Sequence, residues 1–123
     1  MKKEIAVLFL SLILVSFSYA QNRIPILTEK EKIESLIIAI ETLDSARFYR
    51  NGSFYHAKEA ANHLRMKVDK AGDRVKTAQD FIEKVASKSY FSGDDYKIVY
   101  NNGKEVTSNS FLTAKLKQLN SLK

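Results

Sequence analysis

Apolar residues recur at helical spacing in the first third of the chain. The first of these residues is Ile33, and four others follow it at distances of three, four, seven and ten positions: Leu36, Ile37, Ile40 and Leu43. This period predicts an amphipathic helix of about four turns. Thr28 and Glu31 precede it at the spacing of a capping box, in which the Thr hydroxyl accepts a backbone N–H and the carboxylate reaches back. We expect the helix to end at Asp44-Ser45.

A second helix is predicted over Ala57–Ala71, and its residues divide among three faces. The face toward the core carries small and aliphatic residues: Ala57, Ala60, Ala61, Leu64, Val68 and Ala71. The opposite face carries polar residues: Lys58, Asn62, Arg65 and Asp69. The remaining flank combines imidazole, carboxylate and ammonium groups: His56, Glu59, His63, Lys67 and Lys70. Because this flank lies at the border between core and water, pKa shifts are easily produced there.

An Asn51-Gly52 pair predicts a first β-hairpin over residues 47–55. In its first strand, Phe48 and Arg50 are expected to face opposite to Tyr49, because successive side chains alternate between the two sides of a strand. The pair also predicts a type I′ turn, which requires positive φ angles at both of its central residues.

A second Asn-Gly pair, Asn102-Gly103, predicts another hairpin between a strand over residues 96–100 and a strand over residues 104–107. Here too we expect type I′ geometry and a positive φ at the glycine. Gly72 stands where the second helix should end. If Gly72 only caps a fraying helix end, substitution to Val should cost less there than at Gly52.

Two further helices complete the predicted domain. Thr77 begins the third, and its buried stripe is apolar: Phe81, Ile82, Val85 and Ala86. Ser108, Asn109 or Ser110 caps the last, whose leucines are expected to face inward: Leu112, Leu116, Leu119 and Leu122. Four helices with four short strands predict a single α+β domain over residues 28–123, with both hairpins in one small antiparallel sheet.

The N-terminal residues have the pattern of a secretory signal peptide. Lys2-Lys3 is followed by an apolar run over residues 5–17 and by the small-residue ending Ser18-Tyr19-Ala20. This predicts a signal peptide over residues 1–20, cleaved between Ala20 and Gln21, and a periplasmic or secreted protein. The run is shorter than the roughly 20 residues of a spanning helix, so no transmembrane span is expected after cleavage. Residues 21–27 are predicted to be a linker.

Composition narrows the classes of partner. The chain carries a formal net charge of +6, from 20 Lys and Arg residues against 14 Asp and Glu residues. This charge suits a partner with phosphates or carboxylates, such as an anionic envelope component. Because acidic residues are interspersed among the basic ones, no nucleic-acid partner is expected. The sequence contains no cysteine, which excludes a disulfide and a cysteine nucleophile within it.

His56, Glu59 and His63 have a spacing that resembles a metal site. On a helix, however, the two histidines lie two turns apart, about 10.5 Å along the axis, too far to share one ion. Glu59 and His63 could chelate together, but two ligands do not make a zinc site, and the chain has no further His or Cys. We therefore expect no metal and no cofactor.

The same flank offers candidates for catalysis. His63 could act as a general base oriented by Glu59. Alternatively the flank only caps and packs, with Glu59 paired to His63 and His63 packed on the stem of Lys67. The sequence contains no G-x-S-x-G, P-loop or dinucleotide-binding fingerprint.

Cationic and aromatic residues are candidates for binding. Arg50, Lys67 and Arg74 could converge on an anion, because guanidinium groups match carboxylates and phosphates. Aromatic residues cluster around the two hairpins, and a solvent-facing subset could stack on a sugar or a peptide. The candidate binding residues are Arg50, Asn51, Tyr55, His56, Lys67 and Arg74.

Three separate blocks resemble the YfeK-like family of small exported bacterial proteins: RNGSFYHAKEAANHLRMK, AGDRVKTAQDFI and SKSYFSGDDYKI. The resemblance extends from about Ile33 to Leu119. It implies a single-domain protein exported to the envelope and classed as a domain of unknown function, and it brings no catalytic or binding residues. Asp95 stands where such proteins tend to have the proline of Ser-Gly-x-Pro-Tyr.

Two functions are compatible with this sequence. The first is a non-enzymatic exported binding or interaction module, which uses the groove between the second helix and the hairpins. Its partner would be an anionic envelope component or another envelope protein. The alternative is a small hydrolase or lyase of an envelope polymer, with His63 as general base, Glu59 as its orienting group, and Arg50 or Arg74 stabilising negative charge.

Overall fold

The computed structural model describes residues 26–122, so the predicted signal peptide and most of the predicted linker lie outside the described residues. The described chain contains four α-helices: α1 (Glu29–Glu41), α2 (Ala57–Ala71), α3 (Ala78–Lys84) and α4 (Ser108–Asn120). A short 3₁₀ helix, Gly72–Arg74, follows α2 directly. In residues 26–122 no helix combines the length and the apolar character needed to span a membrane.

Four short strands form one antiparallel sheet in the order β2-β1-β3-β4. Their bounds follow the two predicted hairpins: β1 (Ala46–Arg50), β2 (Ser53–Tyr55), β3 (Lys97–Tyr100) and β4 (Glu105–Thr107). The two hairpins join through β1 and β3, where Phe48 lies opposite Ile98. The predicted α+β class and the predicted single sheet are therefore both confirmed.

Threonine caps fix the N-termini of α1, α3 and α4. The Thr28 hydroxyl accepts the N–H of Glu31 at 3.1 Å, and the Glu31 carboxylate accepts the N–H of Thr28 at 3.2 Å, so the predicted capping box is confirmed. At α4 the cap is Thr107, which accepts the N–H of Ser110 at 3.1 Å. The prediction that residues 108–110 supply this cap is wrong, because Thr107 still has the extended backbone of β4 that an N-cap requires.

The hydrophobic core lies between the helices and one face of the sheet. Phe48 and Ile98 point into it from neighbouring strands, while Arg47 and Lys97 point to the exposed face. The predicted stripe of the third helix is fully buried, although Val85 and Ala86 lie just beyond the end of α3. Two other boundary predictions are wrong. α1 ends before Leu43, and Leu122 is 65% exposed because α4 ends two residues before it.

The two Asn-Gly turns differ in type. Asn51 has φ 52° and Gly52 has φ 80°, which confirms type I′ geometry in the first hairpin. In the second, Gly103 has the expected positive φ of 84°, but Asn102 is not among the described residues with positive φ. Tyr100 there accepts the N–H of Gly103 at 2.9 Å and donates to Lys104 at 2.9 Å. The second turn is thus a type I turn followed by a glycine bulge, not type I′.

Gly72 is expected to tolerate substitution less well than Gly52, the reverse of the order that a fraying helix end would give. Gly72 has φ 54° and ψ −127°, outside the left-handed basin that L residues can enter, and the chain continues from it into a 3₁₀ helix. No atom lies within 4 Å of a Cβ placed at either glycine, so the cost is conformational. We expect Gly72→Ala to lower the free energy of unfolding by about 1–2 kcal/mol more than Gly52→Ala. Urea unfolding measures this, and an equal loss at both sites would contradict it.

Candidate functional site

A pocket of about 290 Å³ opens between the end of α2, the turn of the first hairpin and the loop that precedes β3. Its charged side chains are all cationic: Arg50, Lys67, Lys70 and Arg74. Its other polar and aromatic lining residues come from the turn, from α2 and from the loop: Asn51, His63, Ser89, Tyr90, Phe91 and Tyr96. We call this the cationic pocket. Among the described residues its lining contains no Asp or Glu.

Arg50 enters the pocket because of strand alternation. β1 places Phe48 in the core, and Arg50, two residues further, points to the same side of the sheet as predicted. There the guanidinium lies 4.8 Å from the ring centroid of Tyr55, and its Nη2 donates to the Tyr55 hydroxyl at 3.1 Å. This hydrogen bond, together with the positive charge, lowers the pKa of Tyr55.

Arg50 also contacts His63, which burial keeps in its neutral form. Its Nη1 lies 2.8 Å from Nδ1 and 2.6 Å from Nε2 of the imidazole. A guanidinium only donates, and a neutral imidazole has one nitrogen that accepts, so one of the two contacts is the hydrogen bond. Burial lowers the pKa of His63 to about 4, with further contributions from the charges of Arg50, Lys67 and Lys70. His63 is therefore uncharged at neutral pH.

Lys67 ties α2 to the end of α3. Its ammonium donates to the Val85 carbonyl at 2.6 Å and to the Tyr96 hydroxyl at 2.9 Å, and it lies 3.4 Å from the Lys88 carbonyl. The ammonium also sits over the rings of Tyr90 and Tyr96, at 4.5 and 4.8 Å from their centroids. Burial, and then the charge of Arg50, lower the pKa of Lys67 to about 8. Lys67 is thus a half-buried cation in an aromatic cage.

The rim of the pocket is joined across the hairpin and the loop. The Ser92 hydroxyl donates to the Asn51 side-chain carbonyl at 2.7 Å, so the first turn and the loop close around the opening. At the other end Arg74 donates from Nε to the Ala71 carbonyl at 3.2 Å, which uses only part of its guanidinium. Phe91, 98% exposed, stands beside the opening.

The cations of this pocket have no acidic partners among residues 26–122. Every salt bridge in that part of the chain uses a different cation: Lys32, Arg65 or Lys84. Arg65 shows the contrast on the same helix, because Glu41 and Glu34 neutralise it at 2.6 and 2.9 Å. The cationic pocket therefore concentrates positive charge that this part of the protein leaves uncompensated.

A second pocket of about 360 Å³ adjoins the first, between α2 and β1. We call it the apolar pocket, because aliphatic and aromatic residues supply most of its lining: Ile40, Phe48, Tyr49, Tyr55, Ala60, Leu64, Met66, Ala86 and Tyr96. Four further polar or charged residues line it as well: Glu59, Asn62, Lys97 and Ser108. Three residues line both pockets and form the wall between them: Arg50, His63 and Tyr96.

Most predicted binding residues come together in these pockets. Arg50, Asn51, Lys67 and Arg74 all line the cationic pocket, and Tyr55 lines the apolar one. His56 lines neither of these two pockets, because it is the exposed residue before the first turn of α2.

The predicted pairing of Glu59 with His63 is wrong. The Glu59 carboxylate lies 3.4 Å from the backbone N–H of His56, at the start of α2, where it complements the positive end of the helix. His63 instead contacts Arg50. A group that orients a histidine base accepts the N–H of the imidazole, and a guanidinium has no acceptor. In residues 26–122 the hydrogen bonds of His63 include none to a hydroxyl. This arrangement does not favour the hydrolase alternative.

Six lining residues of the cationic pocket are not among the candidates that the sequence predicts: Lys70, Ala71, Ser89, Tyr90, Phe91 and Tyr96. Helical spacing places Lys70 on the correct flank of α2. The missing signal was tertiary, because α2 meets the loop after α3 only in the folded chain. The Lys67 contact with the Val85 carbonyl, 18 residues away, has no counterpart in any local pattern.

A family model described as Family of unknown function (DUF5329) matches residues 27–120. The chain belongs to this family. The resemblance to YfeK-like proteins is confirmed by a relative, "Uncharacterized protein YfeK" of Salmonella typhimurium, which is 37% identical over 68 residues. That stretch covers 55% of this DUF5329 chain and 57% of the relative, so the match spans little more than half of the relative's length. No solved structure matches the chain.

Proposed function

We propose that this protein is exported to the cell envelope and binds an anionic envelope component in the cationic pocket, without catalysing a reaction. One observation carries the proposal: four cationic side chains line one pocket that has no acidic lining residue among the described residues. Clustered like charges destabilise a fold unless a counter-ion or ligand neutralises them. An anion in the pocket would supply that neutralisation.

The donors of the pocket suit a carboxylate or a phosphate. The Tyr96 hydroxyl accepts a hydrogen bond from the Lys67 ammonium and keeps its own proton for a ligand. The Lys67 ammonium has three donors, of which two make short contacts and the third reaches a carbonyl at 3.4 Å. Because Lys67 is occupied by protein oxygens, the donors left for a ligand are the Tyr96 hydroxyl and the remaining N–H groups of Arg74, which stand beside the positive charge of the pocket. Donors combined with positive charge recognise oxyanions.

The N-terminal pattern supports the export half of the proposal. Lys2-Lys3, the apolar run and the ending at Ala20 are the three parts of a secretory signal. N-terminal sequencing of the exported protein is expected to begin at Gln21, and a mature protein that retains Met1 would contradict export.

Binding is tested with succinate as the carboxylate probe, inorganic phosphate as the phosphate probe and uncharged succinamide as the control. We expect both anions, but not succinamide, to bind, with an affinity that falls as salt rises. Replacing Lys70 with Gln should weaken binding about fivefold, because one charge of the pocket is lost. Titration calorimetry at pH 7 measures the affinities.

The matched control is Lys58→Gln, which removes the same charge from an exposed position on the same helix, outside both pockets. Lys58→Gln should bind as the unmodified protein does. Equal losses in the two variants would mean that only net charge matters, and no specific site. Binding of succinamide as tight as that of succinate would also sink the proposal.

A further inference from the structure

The cationic pocket and the apolar pocket share one wall, so a single ligand can contact both of them. Arg50, His63 and Tyr96 line the cationic pocket on one side and the apolar pocket on the other. The Arg50 guanidinium therefore lies at the junction, with its Nη groups directed to His63 and Tyr55. A ligand that reaches Arg50 from the cationic side thus lies next to an apolar volume.

The apolar pocket has the size and the lining of a small-molecule site. Its volume of about 360 Å³ corresponds to roughly a dozen groups of the size of a water molecule or a methylene. Ligand pockets are mostly apolar, with a few polar groups that fix orientation. Met66 forms part of this lining although it is 49% exposed, so an apolar side chain remains open to solvent there.

We propose that the ligand is an amphipathic acid: a carboxylate or phosphate head bound in the cationic pocket, with a short hydrocarbon body in the apolar pocket. This inference rests on the proposed function, because it assigns the head to the same cations. The new element is the hydrocarbon body of the ligand. It lies beside the acidic head, because the two pockets meet at Arg50. Charge complementarity selects the acid, since an uncharged lipid would leave Lys67 and Lys70 without a counter-ion.

Neutral His63 fits this role as part of the wall. An imidazolium there would add a further charge to the lining of the apolar pocket, which also includes Leu64 and Tyr55. With its pKa lowered to about 4, His63 stays uncharged and presents a weakly polar ring to the hydrocarbon. Tyr96, with its ring edge-on to His63 at 6.4 Å between centroids, extends the same surface.

The test is a series of fatty acids of increasing length, compared with an alcohol. Acetate, hexanoate and decanoate share the head, and decanol has the longest body without the charge. We expect affinity to rise by twofold to fourfold with each methylene that enters the pocket, and then to level off. Decanol should bind at least tenfold more weakly than decanoate. Shifts of the His63 ring signals in NMR follow binding, because this ring lines both pockets.

Two variants separate the head from the body. Lys70→Gln should weaken acetate and decanoate by the same factor. Met66→Gln, at an exposed position and of nearly equal size, should weaken decanoate severalfold and leave acetate unchanged. Met66→Leu, which keeps an apolar side chain, is its matched control and should bind decanoate normally.

The outcomes distinguish the two proposals. Equal affinities for acetate and decanoate would overturn the amphipathic ligand while leaving the anion site intact. Decanol binding as tightly as decanoate would overturn the assignment of the head to the cationic pocket. If no acid binds, and succinate and phosphate do not bind either, the proposed function fails together with this inference.

Discussion

Lowering the pH from 7 to 5 is expected to reduce the stability of this protein by about 1–2 kcal/mol, and His63→Gln should remove most of that loss. The pKa of His63 is about 4 in the folded protein, against an ordinary value of 6.5. At a pH between these two values, the His63 imidazole is protonated in the unfolded chain but neutral in the folded protein. The stabilisation by neutral His63 is therefore complete above pH 6.5 and is lost as the pH falls toward 4.

The size of this loss in stability follows from the lowered pKa of His63. One pKa unit corresponds to 1.36 kcal/mol, and two units or more separate the folded from the unfolded value. Because the imidazole is only partly buried, solvent screening reduces this energy, and about 1–2 kcal/mol remains. Urea unfolding at pH 7, 6 and 5 measures it.

Above pH 5 the pH dependence of stability reports on His63 and not on the carboxylates. Hydrogen bonds lower the pKa values of Glu41 and Asp80, so their contributions to stability are lost only at more acidic pH. His56→Gln is the matched control, because His56 is exposed and lines neither of the two pockets. It should keep the pH dependence of the unmodified protein. A His63→Gln variant with an unchanged pH dependence would refute the neutral, partly buried state of His63.

The framework of the fold could be read from the sequence because local signals agree with the global structure. The capping box at Thr28, the stripe of α2 and the Asn-Gly turn at Asn51 each act within a few residues. Each signal therefore favours the same local structure in an isolated peptide as in the folded domain. The second hairpin shows the limit of such signals. Asn102-Gly103 is compatible with either turn type, and the bonds between Tyr100 and its partners decide between them.

The site was only half predictable, because tertiary contacts redistribute charges that look alike in sequence. Lys67 and Arg65 lie on one helix, and helical spacing places Arg65 on the polar face opposite the core. In the structure α1 supplies Glu41 to neutralise Arg65, whereas Lys67 meets carbonyls and tyrosine rings instead of acids. Helical spacing predicted which residues share a flank, but not which element would pack against that flank.

The error over Glu59 has the same origin. A spacing of four residues makes a pairing of Glu59 with His63 possible. The helix N-terminus competes for the carboxylate, which lies at the His56 N–H. Arg50 then becomes the neighbour of His63, because β1 runs beside α2 in the fold. The alternation of Phe48 and Arg50 was the one sequence signal that pointed to this contact.

Anion binding is expected to weaken about tenfold when the pH is raised from 7 to 9, and Lys67 should be the cause. The pKa of Lys67 is about 8 in the free protein, so its ammonium loses a proton within this range. A bound anion favours the charged form and raises that pKa. Binding therefore takes up a proton above pH 8, and affinity falls by up to tenfold for each further pH unit.

The probe for this measurement is succinate, which is fully ionised from pH 7 to pH 9 and contributes no titration of its own. Lys67→Gln should bind more weakly at pH 7 and should show little further loss up to pH 9. Lys70→Gln is the matched control, since it removes one charge from the same pocket but keeps Lys67. It should bind more weakly at every pH and retain the tenfold fall.

Proton uptake gives an independent readout of the same linkage. Calorimetry at pH 8.5 in two buffers of different ionisation enthalpy should show that succinate binding takes up a proton, and Lys67→Gln should abolish this uptake. The uptake reports on Lys67 directly, because a lysine that only tied α2 to the Val85 carbonyl would not change its protonation when an anion binds. A pH-independent affinity in the unmodified protein, with no proton uptake, would show that Lys67 holds the fold together without facing the ligand.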